Sequence, residues 1–223
     1  MIEPVRITTK GEGHFGRFND LDFIMAFEFK QCEINGEKVV GLFEIQPKIF
    51  GDARGYFLES YSEKDFFEAG LKMKFVQDNQ SKSTKGVLRG MHFQTLHPQG
   101  KLVRALEGKV YDVAVDLRKG SATFGKYYGV ILDAEKQNMF YIPEGFAHGF
   151  YVLSDEATFA YKCTDFYHPE DEGGLMWNDS SVGIDWKSVA PEISVPNLSE
   201  KDTKHPIFDM NKDYFDINGK WIG

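Results

Sequence analysis

The sequence has little of what several classes of protein require. Only two of its 223 residues are cysteine, Cys32 and Cys163. Two are too few for a disulfide framework or a thiolate zinc site, so we expect both to be reduced and structural. No stretch approaches roughly 18 consecutive apolar residues, and the first residues include Glu3, Arg6 and Lys10 instead of the apolar run of a signal peptide. We therefore expect a cytoplasmic protein without a membrane span.

Positive charge is also in short supply. The 26 Lys and Arg residues are outnumbered by 34 Asp and Glu residues, which gives a formal net charge of -8. Affinity for nucleic acid depends on a basic field that meets the phosphates, so this balance argues against DNA or RNA as a partner. Hydrophobic residues make up 42% of the chain, which is enough for a substantial core in a single domain.

Glycine and aromatic residues are plentiful. The chain contains 22 glycines and 15% aromatic residues, a composition typical of short strands joined by tight turns. Regularly spaced short strands predict an all-β sandwich or barrel. Strand-like runs occur at 102–106, 111–117, 127–132, 139–142, 150–153 and 158–164. The first two are predicted to pair as a hairpin with one apolar face.

The pattern of helix signals and prolines predicts the domain organisation. Ser62 and Asp65 resemble a capping box and Gly70 can end the helix, so we expect one short peripheral helix there. The first 24 residues have scattered glycines and charges and are interpreted as an N-terminal extension, possibly appended or disordered. Residues 25–223 are predicted to form one domain, whose tail after Pro191 lies over the barrel.

Histidine titrates near neutral pH and is the first candidate for proton transfer. His92 and His148 lie between strand-like flanks, and strand alternation would place His92 on one face with Leu88, Gly90 and Gln94. The same alternation would place Arg89, Met91 and Phe93 on the other face. The remaining four are expected in exposed turns or in the glycine-rich N-terminal segment: His14, His97, His168 and His205.

Residues 143–148 have the spacing Pro-x-Gly-x-x-His. This spacing resembles the second half of the cupin signature, and cupins often bind a metal through this histidine and an earlier His-x-His pair. Here the earlier pair reads His92-Phe93-Gln94, and a neutral amide oxygen is a poor ligand for a transition metal compared with imidazole. The sequence therefore favours a cupin-type double-stranded β-helix, a jelly-roll barrel, without its metal.

Six motifs follow one another along the chain, at 50–60, 75–79, 87–94, 100–104, 142–150 and 199–202. Together they resemble the dTDP-4-dehydrorhamnose 3,5-epimerase family, in which the motifs have the same order. The similarity runs from about residue 43 to about residue 206.

The resemblance implies a metal-free, cofactor-independent isomerase. The family's substrate is dTDP-4-dehydro-6-deoxy-D-glucose, a C4 ketone in which both C3 and C5 invert to give dTDP-4-dehydro-L-rhamnose. By resemblance, His92 is the base, Asp202 pairs with it, Tyr161 is the acid and Lys101 stabilises the enolate oxygen. These roles suit a carbon acid, whose anion must be stabilised while one group removes the proton and another returns it.

The resemblance also implies a set of ligand-binding residues and a homodimer with exchanged N-terminal strands. Arginine suits the diphosphate because its guanidinium matches phosphate oxygens in a bidentate manner, and Tyr167 is implied to stack on thymine. The exchange would carry Arg54, Phe57 and Glu59 into the neighbouring subunit's site. The full set is Arg54, Phe57, Glu59, Gln77, Asp78, Asn79, Arg89, Lys101, His148, Tyr167, Glu172 and Lys201.

Three other functions fit parts of the sequence. A relative that epimerises only C3 or only C5, or that isomerises a related keto sugar, would keep His92 and Asp202, although Tyr161 favours the double epimerase. A metal-dependent cupin oxygenase is weakened by Gln94. A non-catalytic sugar-binding cupin has no need for His92, Tyr161 and Asp202 together.

Overall fold

The computed structural model describes residues 26–223, so the predicted extension at residues 1–24 lies outside the described part of the chain. The described part has 13 strands, with two short α-helices, α1 (Glu63–Glu68) and α2 (Trp186–Val189), and a 3₁₀ turn at Pro169–Asp171. The strands are β1 (Phe27–Ile34), β2 (Glu37–Pro47), β3 (Phe50–Asp52), β4 (Gly55–Phe57), β5 (Gln77–Thr84), β6 (Leu88–Gln94), β7 (Lys101–Glu107), β8 (Lys109–Asp116), β9 (Tyr127–Asp133), β10 (Met139–Ile142), β11 (Phe146–Val152), β12 (Glu156–Cys163) and β13 (Glu172–Gly174).

Two antiparallel sheets form the barrel. The first has the strand order β1-β2-β10-β7-β12-β5, and the second has the order β13-β6-β11-β8-β9. Strands β3 and β4 form a separate small hairpin. Strands that follow one another in sequence often lie in opposite sheets, which is the connectivity of a jelly roll. The predicted all-β, cupin-type barrel with a few short helices is confirmed.

The predicted hairpin between residues 102–106 and 111–117 is wrong. Both segments are strands, but β7 pairs with β10 and β12 in the first sheet, whereas β8 pairs with β11 and β9 in the second. Gly108, with φ +72°, turns the chain from one sheet to the other, and a Cβ there would lie 2.1 Å from the Glu156 carbonyl oxygen. A turn signal predicts a reversal of the chain and leaves open which strand becomes the hydrogen-bonding neighbour.

The main core lies between the two sheets. Val103, Phe140 and Phe159 from the first sheet pack against Phe150 and Val152 from the second. Burial of each large apolar side chain contributes about 1.5–3 kcal/mol, so this layer holds the sheets face to face. One end of the space between the sheets is not filled by apolar side chains, and this is where the polar residues described below converge.

Additional apolar layers cover the outer faces of the sheets. Helix α1 inserts Phe66 against the first sheet, and its predicted cap forms, since the Ser62 hydroxyl accepts a hydrogen bond from the Asp65 amide at 3.4 Å. The C-terminal tail covers the second sheet with Phe208 and Phe215, which are both buried. The tail therefore packs on the barrel, and this packing positions the segment that carries Asp202.

Both cysteines, Cys32 and Cys163, are buried and free, as predicted. Burial raises the pKa of the Cys163 thiol, so it remains protonated and unreactive near neutral pH. Within residues 26–223, none of the helices has the length and apolar character that crossing a bilayer would take.

Candidate active site

A cavity of about 440 Å³ opens between the two sheets and collects most of the polar residues predicted to carry chemistry. His92, on β6, belongs to the second sheet, whereas Lys101 on β7 and Tyr161 on β12 belong to the first. The cavity is therefore bounded by candidate acids and bases from opposite sheets. Its other polar lining residues are Ser81, Arg89, His148, Asn197, Ser199, Lys201 and Asp202.

An irregularity in β6 places Arg89 and His92 on the same side of the strand. The pairing with β11 matches His92 with His148 but Arg89 with Phe150, so three residues of β6 span two residues of β11. Such an extra residue is a β-bulge, and it interrupts the alternation of side chains. The bulge falls at Gly90, where a Cβ would lie 2.6 Å from the Gly149 Cα.

The predicted division of this strand into two alternating faces is therefore wrong. Leu88 lies in the apolar layer of the outer face together with Met91 and Phe93, not with His92. Arg89 and His92, which alternation separates, both line the cavity. Because a bulge inverts the alternation beyond it, uniform counting along the sequence assigns the wrong face to one half of the strand.

His92 and Asp202 form a hydrogen-bonded pair in the cavity wall. His92 Nε2 lies 2.6 Å from Asp202 Oδ1, and the Ser199 hydroxyl donates to Asp202 Oδ2 at 2.8 Å. Burial opposes ionisation of Asp202, but the hydrogen bonds from His92 and Ser199 lower the pKa of its carboxyl. An ionised Asp202 makes Nε2 the protonated nitrogen of His92, so Nδ1 carries the lone pair that can accept a proton.

Lys101 and Tyr161 form the facing wall. The Lys101 ammonium lies 5.9 Å from the centre of the Tyr161 ring. Burial lowers the pKa of Lys101, which increases its tendency to donate a hydrogen bond to a developing anion. Burial raises the pKa of Tyr161, so its phenol keeps its proton near neutral pH and can act as a donor.

A buried His148–Asp112 pair forms the floor. His148 Nε2 lies 3.0 Å from both carboxylate oxygens of Asp112, and both residues are buried. Burial raises the pKa of Asp112 and lowers that of His148, so burial disfavours the charged form of each. Asp112 was not predicted as a site residue, because alternation along 111–117 places it on the face opposite the apolar one, whereas both faces of β8 are buried.

Arg89 also lines this cavity. Its Nε and Nη2 atoms donate to the Ser83 hydroxyl at 3.2 and 3.1 Å, and the residue as a whole is exposed. A neutral hydroxyl leaves the positive charge of the guanidinium uncompensated, so Arg89 can still receive an anionic ligand. Ser83 was not predicted from the sequence.

The rim of the site contains five of the predicted ligand-binding residues. The Gln77 amide nitrogen donates to Asn79 Oδ1 at 3.0 Å, and Gln77 Oε1 accepts from the backbone amide of Tyr167 at 3.1 Å. The Tyr167 hydroxyl donates to Glu172 at 2.9 Å, and Lys201 forms an ion pair with Glu172. Burial opposes ionisation of Glu172, but hydrogen bonds from Lys201 and Tyr167 lower the pKa of its carboxyl. These contacts hold the exposed Tyr167 ring at the rim.

Four predicted ligand-binding residues lie away from this cavity. Asp78 pairs with Lys162 at 3.0 Å and lines a second cavity of about 320 Å³, whose lining also includes Asn79 and Tyr161. The other three belong to the β3–β4 hairpin or follow it directly, and all are exposed: Arg54, Phe57 and Glu59. Arg54 has 90% of its side chain exposed and pairs with the neighbouring Asp52.

Gln94 binds backbone groups, and the three remaining histidines of the described chain differ in their surroundings. The Gln94 amide donates to the carbonyls of His97 and Phe166 at 2.6 and 3.1 Å and accepts from the His168 amide at 2.8 Å, so its polar atoms bind backbone. His97 and His168 stack on each other with ring centres 3.9 Å apart. The exposed turn predicted for His205 is wrong, because packing of the tail leaves only 10% of its side chain exposed.

The arrangement of the site suits proton transfer at a carbon next to a carbonyl. One wall offers a carboxylate-paired imidazole as a base, and the facing wall offers a protonated phenol as an acid. The lysine beside the phenol can stabilise negative charge on the carbonyl oxygen as the proton leaves. A carbon that loses a proton to the first wall and regains one from the second changes its configuration.

Comparison with known proteins gives a consistent result. The family dTDP-4-dehydrorhamnose 3,5-epimerase matches residues 37–210. A protein of that name from Shigella flexneri is 56% identical over 173 residues, covering 76% of this chain and 92% of the relative. Its counterpart from Methanothermobacter thermautotrophicus is 52% identical over 176 residues, covering 79% of this chain and 91% of the relative.

The fold agrees with solved structures as well. One is the dTDP-6-deoxy-D-glucose-3,5-epimerase from Legionella pneumophila Philadelphia 1, in complex with dTDP-4-keto-L-rhamnose. It superimposes with a TM-score of 0.76 at 48% sequence identity, and the match covers 83% of this chain and 95% of that protein.

Proposed function

The chain belongs to the dTDP-4-dehydrorhamnose 3,5-epimerase family, and we propose that it converts dTDP-4-dehydro-6-deoxy-D-glucose to dTDP-4-dehydro-L-rhamnose. The observation that carries the proposal is the placement of His92 and Tyr161 on opposite sheets around one cavity. An inverting epimerase needs a base and an acid on opposite sides of the same carbon, and this cavity supplies both.

In the proposed mechanism, His92 removes the protons at C3 and C5. Its Nε2–H donates to Asp202, which keeps Nδ1 unprotonated and stabilises the imidazolium that forms. Loss of either proton leaves an enolate whose charge lies largely on O4, and the Lys101 ammonium donates to that oxygen. Tyr161 then delivers a proton to the other face of the carbon. Between the two inversions His92 releases its proton to solvent and Tyr161 regains one from solvent, so both groups return to their starting protonation states and no redox change occurs.

The nucleotide end of the substrate is proposed to bind at the rim. Its diphosphate carries roughly two negative charges, which Arg89 and Lys201 meet from the cavity side. The exposed Tyr167 ring offers a flat surface on which the thymine can stack. On binding, Lys201 would leave its ion pair with Glu172 and contact a phosphate instead. Its positive charge would then offset the negative net charge of the chain at the diphosphate.

Arg54, Phe57 and Glu59 are proposed to complete the site of a second subunit. All three are exposed, the Phe57 side chain to 66%, and they lie outside the cavity that contains His92. An exposed aromatic residue beside an arginine is typical of a surface that meets a partner or a ligand. A homodimer that exchanges this region would place a further cation at the diphosphate.

The buried free thiols of Cys32 and Cys163 suit a reducing compartment, in keeping with the predicted cytoplasmic location.

Incubation with the keto sugar in deuterated water tests the proposed function directly. NMR is expected to show deuterium at both C3 and C5, together with the L-configured product. Deuterium at one carbon only would identify a mono-epimerase. If no deuterium is incorporated, and no product forms even when the other enzymes of the proposed rhamnose pathway are supplied, the proposal that the protein is an epimerase would be contradicted.

Substitution of Tyr161 by phenylalanine separates proton removal from proton return. We expect deuterium exchange to fall less than net inversion, because His92 can still remove a proton and return one to the same face. The comparison is between the wash-in rate by NMR and the rate of product formation by the same enzyme sample. Equal losses of both would contradict the role of Tyr161 as the acid.

Mixed dimers test whether Arg54 acts in the partner's site. We expect Arg54→Ala and His92→Ala chains to be poorly active alone and to recover activity when they are co-expressed with different tags. In a mixed dimer, the chain that keeps His92 receives the intact Arg54 of its partner. Random pairing of equal amounts would then restore about one quarter of the wild-type sites. If Arg54 acted within its own chain, both sites of the mixed dimer would remain defective.

A further inference from the structure

His205 has a buried ring nitrogen that none of the contacts within residues 26–223 satisfies. Its side chain is only 10% exposed, and its Nε2 atom has no hydrogen-bond partner. The ring meets that of His92 edge to face, with the centres 5.4 Å apart and the planes at 71°. A buried polar atom without a hydrogen-bond partner lowers the stability of the fold, and a ligand bound to this atom would remove that cost.

The structure around His205 fixes the ring in this position. Gly174 on β13 lies opposite His92 on β6, and a Cβ at Gly174 would come within 2.4 Å of His205 Cε1 and 2.6 Å of Nε2. The ring therefore lies directly against the glycine backbone. In this position His205 Nε2 lies 3.7 Å from Asp202 Oδ1, the oxygen atom that also forms the 2.6 Å hydrogen bond with His92.

From this geometry we propose that His92, Asp202 and His205 bind a divalent zinc ion. One ligand atom from each residue lies within 4.8 Å of the other two. Zinc binds imidazole nitrogen and carboxylate oxygen at about 2.0–2.2 Å, so modest side-chain movements would bring the three atoms to one ion. The fourth position faces the cavity and can hold water. Zinc would here be an inhibitor and not a cofactor.

The inhibitory effect rests on the proposed function and follows from the tautomer of His92. A zinc ion on Nε2 would occupy the place of the hydrogen shared with Asp202, so the remaining hydrogen of a neutral His92 would lie on Nδ1. Nδ1 would then have no lone pair with which to remove a proton from C3 or C5. The ion would also lie between His92 and the carboxylate that stabilises its imidazolium.

A second group of possible ligands provides the control. His97, His168 and Asp171 also lie close together, but the two imidazoles are stacked with their planes only 15° apart. The lone pairs of stacked rings run side by side and do not converge on one point. This group is therefore expected to bind zinc weakly.

Calorimetric titration of the full chain with zinc chloride alone, after removal of metal by a chelator, tests the proposal. We expect one site per chain in the wild-type protein. His205→Phe retains a ring against Gly174 but lacks nitrogen, and it should weaken this site by about tenfold or more. His205→Ala provides a second variant should the larger ring disturb folding. The control variant His168→Phe should leave the affinity unchanged.

Because no nucleotide sugar is present in the titration, its outcome is independent of the proposed enzyme activity. An unchanged affinity in both His205 variants, a loss in His168→Phe equal to that in His205→Phe, or no binding in the wild-type protein would each overturn the proposal. In a separate assay, micromolar zinc should inhibit wild-type turnover reversibly and inhibit His205→Phe much less. Equal inhibition of the two proteins would contradict the proposed consequence for His92.

Discussion

Replacement of His92 by alanine is expected to reduce deuterium exchange at both C3 and C5 by a factor of about 10³–10⁴, near the upper range for loss of a general base. Both carbons should be affected together, because neither nearby imidazole can replace it: His148 is bound to Asp112 on the floor, and His205 is not part of the cavity lining. The measurement is the wash-in rate at each carbon by NMR, with the wild-type enzyme under identical conditions.

Binding of the nucleotide should survive this change, since Arg89 and Lys201 are retained. We expect the affinity of the His92→Ala protein for dTDP to stay within a few-fold of wild type, which would show that the site is still folded. Asp202→Asn offers a graded comparison, because it keeps a hydrogen-bonding group beside Nε2 but removes the negative charge. Near-normal turnover by the His92→Ala protein would exclude His92 as the base.

Replacement of Lys101 by methionine is expected to lower the exchange rate at both carbons by a factor of about 10²–10³, the cost of removing a donor to a developing oxyanion. Methionine has a similar length but no charge. Because burial lowers the pKa of Lys101, its charged form destabilises the folded protein, and the free energy of unfolding should not fall in the variant. Turnover and urea denaturation of the same preparation check the two expectations.

Lys162 provides the matched control for Lys101. It lies one residue beyond Tyr161 on the neighbouring strand, but it pairs with the exposed Asp78 at 3.0 Å. Lys162→Met removes the same charge from the opposite face of the sheet, and its turnover should stay close to that of the wild-type enzyme. Comparable losses in both lysine variants would indicate a general effect of net charge and would contradict a specific role for Lys101.

Several features of the fold could be predicted because they depend on short segments of chain. The strands at 127–132 and 139–142 and the helix capped by Ser62 all formed as expected, since alternation and capping are local properties. The order of motifs along the chain also identified the family before any geometry was known. The errors concern relations between segments, such as the neighbour of β7, the face on which Leu88 lies and the burial of His205.

Each error has a specific physical origin. The neighbour of β7 after the turn at Gly108 is the strand whose backbone N–H and C=O groups still lack hydrogen-bond partners. The sequence of the turn does not encode which strand this is. At the bulge β6 and β11 approach so closely that neither Gly90 nor Gly149 has room for a side chain, and this contact between strands cannot be read from alternation along β6 alone. His205 precedes a proline, which suggested a surface turn, but packing of the tail against Gly174 buries the ring.

The all-β class, the family and the residue types needed to move a proton beside a ketone follow from local patterns and motifs in the sequence. How those residues meet depends on the tertiary structure. It placed His92 across the cavity from Tyr161, added the Asp112 carboxylate beneath His148 and brought His205 to Asp202. The physical reason is that the folding of two sheets against each other joins groups far apart in the chain, and side-chain alternation along one strand carries no information about the strand that faces it.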